Sequence, residues 1–147
     1  MTVEWLGLPM SPSDALTARA FENWVHRDDL RSVRRAAADP PPARELRLMA
    51  TLAMHTLPAG LAATGRVRSG RSARVVLTGA GGGTWHLPLD PTEDAVGEPD
   101  LTLTTSALDW CLLAGERLDP HDLPFTVEGD RELADDLVAA APAFATL

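Results

Sequence analysis

The chain of 147 residues has one cysteine, Cys111, and no lysine. A single cysteine excludes an internal disulfide and any zinc cluster built from cysteines. Because Cys111 lies in the apolar helical stretch LDWCLLAG, we predict a buried, unreactive thiol. The absence of lysine bears on the glycine-rich stretch GAGGG at 79–83, which lacks the lysine and hydroxyl of a Walker phosphate loop. GAGGG joins two strand-like runs, so we predict a flexible hairpin tip there.

Long apolar runs are also missing, since none approaches the roughly 18 residues that span a bilayer. The N-terminal stretch MTVEWLGLPM lacks the basic region of a signal peptide. The net charge of -8 argues against nucleic-acid binding, which requires clustered positive charge. We therefore expect a cytoplasmic chain that binds neither nucleic acid nor membrane.

The remaining composition, 45% hydrophobic and 23% charged, supports a packed core. Ser11, Pro12 and Asp14 form a capping pattern that predicts the start of a long helix reaching about residue 37. The prolines of DPPPA at 39–43 end that helix, because consecutive prolines cannot continue one. We therefore predict a boundary there, between an N-terminal segment (1–38) and a second domain (43–147).

Hydrophobic periodicity predicts an alternation of helices and short strands in the second domain. Leu57-Pro58 and Gly60 are expected to close its first helix. The predicted helices are 43–56, 106–116 and 131–141, and the predicted strands are 74–78, 84–89, 100–105 and 124–129. This order predicts an α+β fold, with helices packed on an antiparallel sheet of about four strands and one long N-terminal helix before them.

The candidate chemistry lies on the N-terminal helix, in FENWVHRDDLR at 21–31. Glu22 and His26 are four residues apart, so their side chains leave one helical face close enough to share a metal ion. A carboxylate and an imidazole are ordinary zinc ligands, and Asp29 could orient the His26 ring. The spacing alone equally fits a charge pair on a solvated helix, and a catalytic zinc ion usually takes three protein ligands. The other histidines occur singly: His55 and His86 are predicted to be structural, and His121 is predicted to be a surface residue of a loop.

Several separate stretches resemble one family. VEWLGLPMS followed by TARAFENWVHRDDLR resembles the last helix of the metal-binding four-helix bundle in the mycothiol-dependent maleylpyruvate isomerase family. The rest of the chain resembles the C-terminal domain of that family, in RVVLTGAGGGTWHLPL (74–89), DLTLTTSALDWCLLAGER (100–117) and DLPFTVEGDRELADDLVAAAPAFA (122–145). The resemblance implies a helix of a DinB-like bundle for 1–38 and a sterol-carrier-like α+β domain for 43–147.

The resemblance also implies roles for particular residues. In the family, a divalent metal, usually zinc, is held by one histidine on an early bundle helix and by Glu-x-x-x-His on the last helix. Glu22 and His26 match the second element, and Asp29 matches the aspartate that follows it. In the family, the metal binds the thiol of mycothiol as a thiolate. The C-terminal domain supplies an arginine to the active site, for which Arg131 in VEGDREL is the candidate.

The sequence departs from the family in one respect, because it starts at Met1 just before the last bundle helix. The first three helices and the first histidine ligand are therefore expected to be absent. We expect a single chain to bind zinc weakly and to have no turnover with mycothiol by itself. Three interpretations stay open: an enzyme component completed by a homodimer or by a partner chain carrying the missing helices, a non-catalytic small-ligand-binding or protein-interaction module, and a truncated family member.

Overall fold

The computed structural model describes the backbone of residues 3–5, 8–33 and 41–146, and the side chains of residues 10–26 and 41–146. The predicted boundary around 39–43 lies partly outside these residues. None of the described helices combines the length and apolar character that crossing a membrane requires. The elements are β1 Val3–Trp5, β2 Leu8–Met10, α1 Pro12–Val33, α2 Ala43–Ala63, β3 Ser72–Thr78, β4 Gly83–Pro88, β5 Leu101–Ser106, α3 Ala107–Ala114, β6 Thr126–Gly129 and α4 Arg131–Ala140, with 3-10 helices at Pro120–Asp122 and Ala141–Thr146.

These elements confirm the predicted α+β class, in which helices pack on a four-stranded sheet. Polar caps set the starts of three helices, as local sequence chemistry requires. Ser11 accepts the amide hydrogen of Asp14 over 3.1 Å at α1, Ser106 caps α3, and Asp130 caps α4. A small antiparallel hairpin of β1 and β2 precedes α1 and was not predicted from the sequence.

The strand order is β4-β3-β5-β6, and the sheet is mixed, so the prediction of a purely antiparallel sheet is wrong. β3 pairs antiparallel with β4 but parallel with β5. Asp100 accounts for this pairing, because it joins the start of β5 to the start of β3. Its carboxylate accepts the Ser72 amide hydrogen over 2.9 Å, its amide donates to the Ser72 carbonyl, and Arg71 bonds to it over 2.8 Å.

One face of the sheet carries the core, because inward residues of the strands alternate with polar ones. Val75 and Leu103 are fully buried there against Trp110 of α3 and Leu137 of α4. The predicted end of α2 at Leu57-Pro58 is wrong, since the helix continues through Pro58 to Ala63. Leu57 and Leu61 are buried in the core, and this packing outweighs the hydrogen bond that proline removes.

The GAGGG stretch forms the predicted turn between β3 and β4, and the start of α2 packs against it. Arg47 of α2 donates to the Gly82 carbonyl, and its guanidinium lies 4.8 Å from the centroid of the Trp85 ring. Gly81 has a φ of +74°, which favours glycine. A side chain there would meet the backbone nitrogen of Arg47 at 2.8 Å. The turn is therefore docked on the core instead of projecting as a free tip.

Candidate functional site

The candidate site lies on α1, and the packing of α1 on the second domain fixes its position. Phe21 is only 1% exposed, Val25 is buried, and Trp24 is partly buried against the same core. Gly115, just after α3, lets α1 approach closely, since a Cβ atom there would lie 2.8 Å from Cγ2 of Val25. Phe21 also contacts Phe144 near the C-terminus, with ring centroids 4.9 Å apart. These contacts cover Phe21 and Val25, whereas Leu16 on the same helix is 72% exposed.

Glu22 and His26 lie on the same helix beside this buried stripe, and both side chains are exposed. Because they are one turn apart on a regular helix, their Cβ atoms are separated by about 5–6 Å. Asp29 belongs to α1 by its backbone, but its side chain lies outside the described residues. Glu22 and His26 therefore lie on the same face of α1, as their spacing predicts.

The donor atoms of the pair are of types that bind divalent metals, but two donors are fewer than a metal site usually requires. A carboxylate oxygen and an imidazole nitrogen are both normal ligands of zinc. Within the described part of the chain, no group of three or more histidine, cysteine, aspartate or glutamate side chains is arranged to hold a metal ion. At this position the described residues therefore offer two donor groups, fewer than the three that a catalytic zinc ion usually takes from protein.

Arg131 begins α4, on the second domain. Its Nε donates to Asp135 one turn later over 3.3 Å, and its guanidinium lies 4.8 Å from the centroid of the Phe125 ring. Neither contact involves α1, so the proposed role of Arg131 beside the Glu22–His26 pair stays a prediction. Both contacts lie at the surface, where the Arg131 and Asp135 side chains are 63% and 61% exposed.

The structure places a serine beside a histidine, and the sequence did not predict that they meet. Nε2 of His86 in β4 lies 2.8 Å from Oγ of Ser72 in β3. The two residues are fourteen positions apart, and only the register of the hairpin places them side by side. A serine next to a histidine can act as a nucleophile. Here, however, Ser72 is only 6% exposed and its amide is tied to Asp100, so we interpret the pair as structural.

Two further residues have the environments that the sequence predicts. Cys111 is buried, and this burial raises the pKa of its thiol to about 12. A thiol with that pKa is protonated and inert at neutral pH, so it offers no nucleophile or metal ligand. His121 is exposed as predicted, but it lies in the 3-10 helix Pro120–Asp122 and not in a loop; its Nδ1 is 2.9 Å from a carboxylate oxygen of Asp119.

No protein-family model, curated protein or solved structure matches this chain. The resemblance to the maleylpyruvate isomerase family rests on the stretches quoted above and stays a prediction.

Proposed function

We propose that this chain is a member of the mycothiol-dependent maleylpyruvate isomerase family, in which Glu22 and His26 ligate a divalent metal that activates the thiol of mycothiol. One observation carries the proposal. The two side chains are exposed on adjacent turns of α1, while Phe21 and Val25 anchor the same helix in the core. An anchored helix holds its two donors at a fixed separation, which lowers the entropy lost when a metal ion binds.

A metal is the natural activator for such a thiol. A free thiol has a pKa near 8.5, and coordination to a divalent ion such as zinc deprotonates it near neutral pH. In this proposal Glu22 and His26 hold the ion, and Asp29 orients the His26 ring by accepting a hydrogen bond. Arg131 binds the anionic part of the substrate. The proposal places the chain in the cytoplasm, whose reducing conditions keep a thiol cofactor in its reactive form.

The alternative is a module that holds a small ligand between the sheet and the helices. The packing of the protein interior supports it less well. That space is filled by side chains, among them Trp110, Leu113 and Leu137, which are fully buried. A ligand entering there would have to displace close-packed groups, at a cost of several kcal/mol of core packing. The exposed surface of α1 therefore supports a binding role better than the interior does.

The test uses cobalt(II), which takes the same ligands as zinc and is visible by absorption. Mycothiol added to the cobalt-loaded chain should produce a charge-transfer band from a thiolate bound to cobalt. Glu22→Gln and His26→Ala should each remove the band, whereas Glu45→Gln and His55→Ala, which change exposed residues of α2, should keep it. A band that survives both α1 substitutions, or cobalt binding that never brings the thiol to the metal, would overturn the proposal.

A further inference from the structure

The two end strands of the described four-stranded sheet, β4 and β6, differ in how well they are protected against pairing with another strand. Proteins usually shield an exposed edge strand by keeping it short or by placing charged side chains on it. β6 is shielded in both ways, since it has four residues, carries Glu128 and ends at Gly129, whose φ is +97°. β4 has six residues, Gly83–Pro88, and contains no aspartate, glutamate, lysine or arginine. β4 is therefore the edge that is open to a further strand.

The hydrogen bonds of Ser72 show which backbone groups of β4 face that edge. Ser72 directs both its amide and its carbonyl to Asp100, on the β5 side of β3. Its partner in β4, Pro88, is therefore not hydrogen-bonded to it. One position further on, the Leu89 amide does donate to the Arg71 carbonyl, over 2.9 Å. Hydrogen-bonded and non-hydrogen-bonded pairs alternate along an antiparallel ladder, and Pro88 belongs to the non-hydrogen-bonded pairs.

The same alternation gives the direction of the other backbone groups of β4. Every second residue shares the orientation of Pro88, so His86 and Thr84 point their amide and carbonyl groups away from β3. Among the described residues, no other segment bonds to these groups. The side chains of both residues are exposed. Trp85 between them packs partly against the core, and the Arg47 guanidinium lies 4.8 Å from its ring centroid.

We propose that β4 pairs with β4 of a second copy of this chain, antiparallel across a twofold axis at Trp85, so that the two sheets become one continuous sheet. A twofold axis perpendicular to the sheet brings the same strand from both copies together. Thr84 of each copy then lies opposite His86 of the other, and each of these pairs exchanges both backbone hydrogen bonds. The two Trp85 residues form a cross-strand aromatic pair with Cα atoms about 4.5 Å apart.

The sequence of β4 suits this pairing with itself. In the alternative register, with His86 opposite itself, Pro88 would face Thr84, and its ring would leave the Thr84 carbonyl without a donor. The register centred on Trp85 avoids that loss and removes the partly buried Trp85 ring further from water. Charge also favours this strand as the meeting point. Each chain has a net charge of -8, which makes two copies repel, but β4 contributes no carboxylate to the contact.

The first experiment is sedimentation of the purified chain at increasing concentration, with a chelator present so that metal ions play no part. We expect the mass to rise from 15.7 kDa to twice that value. Thr84→Pro removes an amide hydrogen that faces the edge and none that bonds to β3, so it should weaken dimerisation by about 10-fold or more. Thr84→Val keeps the amide and is the matched control, which should dimerise like the wild type. Circular dichroism confirms that each variant is folded.

Amide hydrogen exchange tests the pairing without any substitution. Protection of the Thr84 and His86 amides should rise with protein concentration, because the second copy covers them. The Trp85 and Leu87 amides bond to β3 and should be protected at every concentration.

Several outcomes would overturn the second copy. A wild-type chain that stays monomeric up to about 1 mM would do so. A dimer that survives Thr84→Pro, or that Thr84→Val weakens equally, would be held by contacts other than backbone pairing. Protection of the Thr84 and His86 amides in the monomer would show that another segment of the same chain covers the edge. Glu22→Gln, which tests the proposed function, should leave this dimer intact, so the two proposals are tested separately.

Discussion

Phe21 of α1 packs on Phe144 of the C-terminal 3-10 helix, with ring centroids 4.9 Å apart and ring planes inclined by 49°. On its other side Phe21 meets Trp24 edge-on, at 6.0 Å between centroids. The helix that bears Glu22 and His26 is thus attached by aromatic packing to the last residues of the chain. The position of the candidate metal ligands depends on this contact, which lies in the core and outside the site itself.

Replacing Phe21 tests that attachment. Phe21→Ala should lower the free energy of unfolding by about 3–5 kcal/mol, because it removes a fully buried aromatic side chain and leaves a cavity. Urea denaturation in metal-free buffer gives the value. The neighbouring substitution Glu22→Ala changes an exposed residue and should stay within about 0.5 kcal/mol of the wild type. Equal effects of the two would contradict the described packing.

Gly115 tests the close approach of α3 to α1. Gly115→Ala should destabilise the protein by about 1–3 kcal/mol, since its Cβ atom would lie 2.8 Å from Cγ2 of Val25 and displace α1. Thermal or urea unfolding measures the loss. In a Val25→Ala background the same substitution should cost much less, because the clashing methyl group is gone. An unchanged cost in that background would show that the strain arises elsewhere.

The docked GAGGG turn allows a comparison of two glycines. Gly79 and Gly81 have φ values of +78° and +74°, so alanine at either position costs about 1–2 kcal/mol in backbone conformation. Nothing lies within 4 Å of a Cβ atom at Gly79, whereas one at Gly81 would come within 2.9 Å of the Leu46 Cβ atom. Gly81→Ala should therefore be clearly more destabilising than Gly79→Ala in urea denaturation. Equal losses would mean that α2 does not hold the turn.

The Asp100 carboxyl should make the free energy of unfolding depend on pH. The Ser72 amide, followed by the Arg71 guanidinium, lowers the pKa of the Asp100 carboxyl in the folded state. A carboxyl whose pKa is lower when folded contributes stability above its unfolded pKa, near 3.9, and that contribution is lost as the pH falls through the folded pKa. Urea denaturation at pH 7 and pH 3 should show a smaller drop for Asp100→Asn than for wild type. An equal loss of stability in both proteins would show that Asp100 does not cause the pH dependence.

Much of the fold follows from local chemistry in the sequence. The caps at Ser11, Ser106 and Asp130 mark real helix starts, because a side chain and a nearby amide suffice to form them. The parallel pairing of β3 and β5 could not be predicted in the same way. Alternation within a strand shows which face is buried, but the neighbour of a strand depends on contacts such as that of Asp100 with Ser72.

The candidate site likewise has features that local sequence predicts and features that depend on tertiary contacts. Helical spacing alone predicts that Glu22 and His26 share a face, as the structure has them. Which side of α1 is covered depends on Gly115 and Phe144, residues far along the chain, so the exposure of the pair is a tertiary property. The pairing of Ser72 with His86 escaped prediction for the same reason, since it depends on the register between two strands.

The junction between Asp100 and Ser72 also sets an order for folding. The β3–β4 hairpin closes a short loop, whereas the hydrogen bond from Ser72 to Asp100 joins residues 28 positions apart. Closing the longer loop costs more chain entropy before any contact offsets it, so the hairpin should form first and β5 should join it late. In stopped-flow experiments, Leu87→Ala in β4, which pairs with β3, should slow folding, while Asp100→Asn should mainly speed unfolding. The reverse pattern would place the parallel pairing in the folding nucleus.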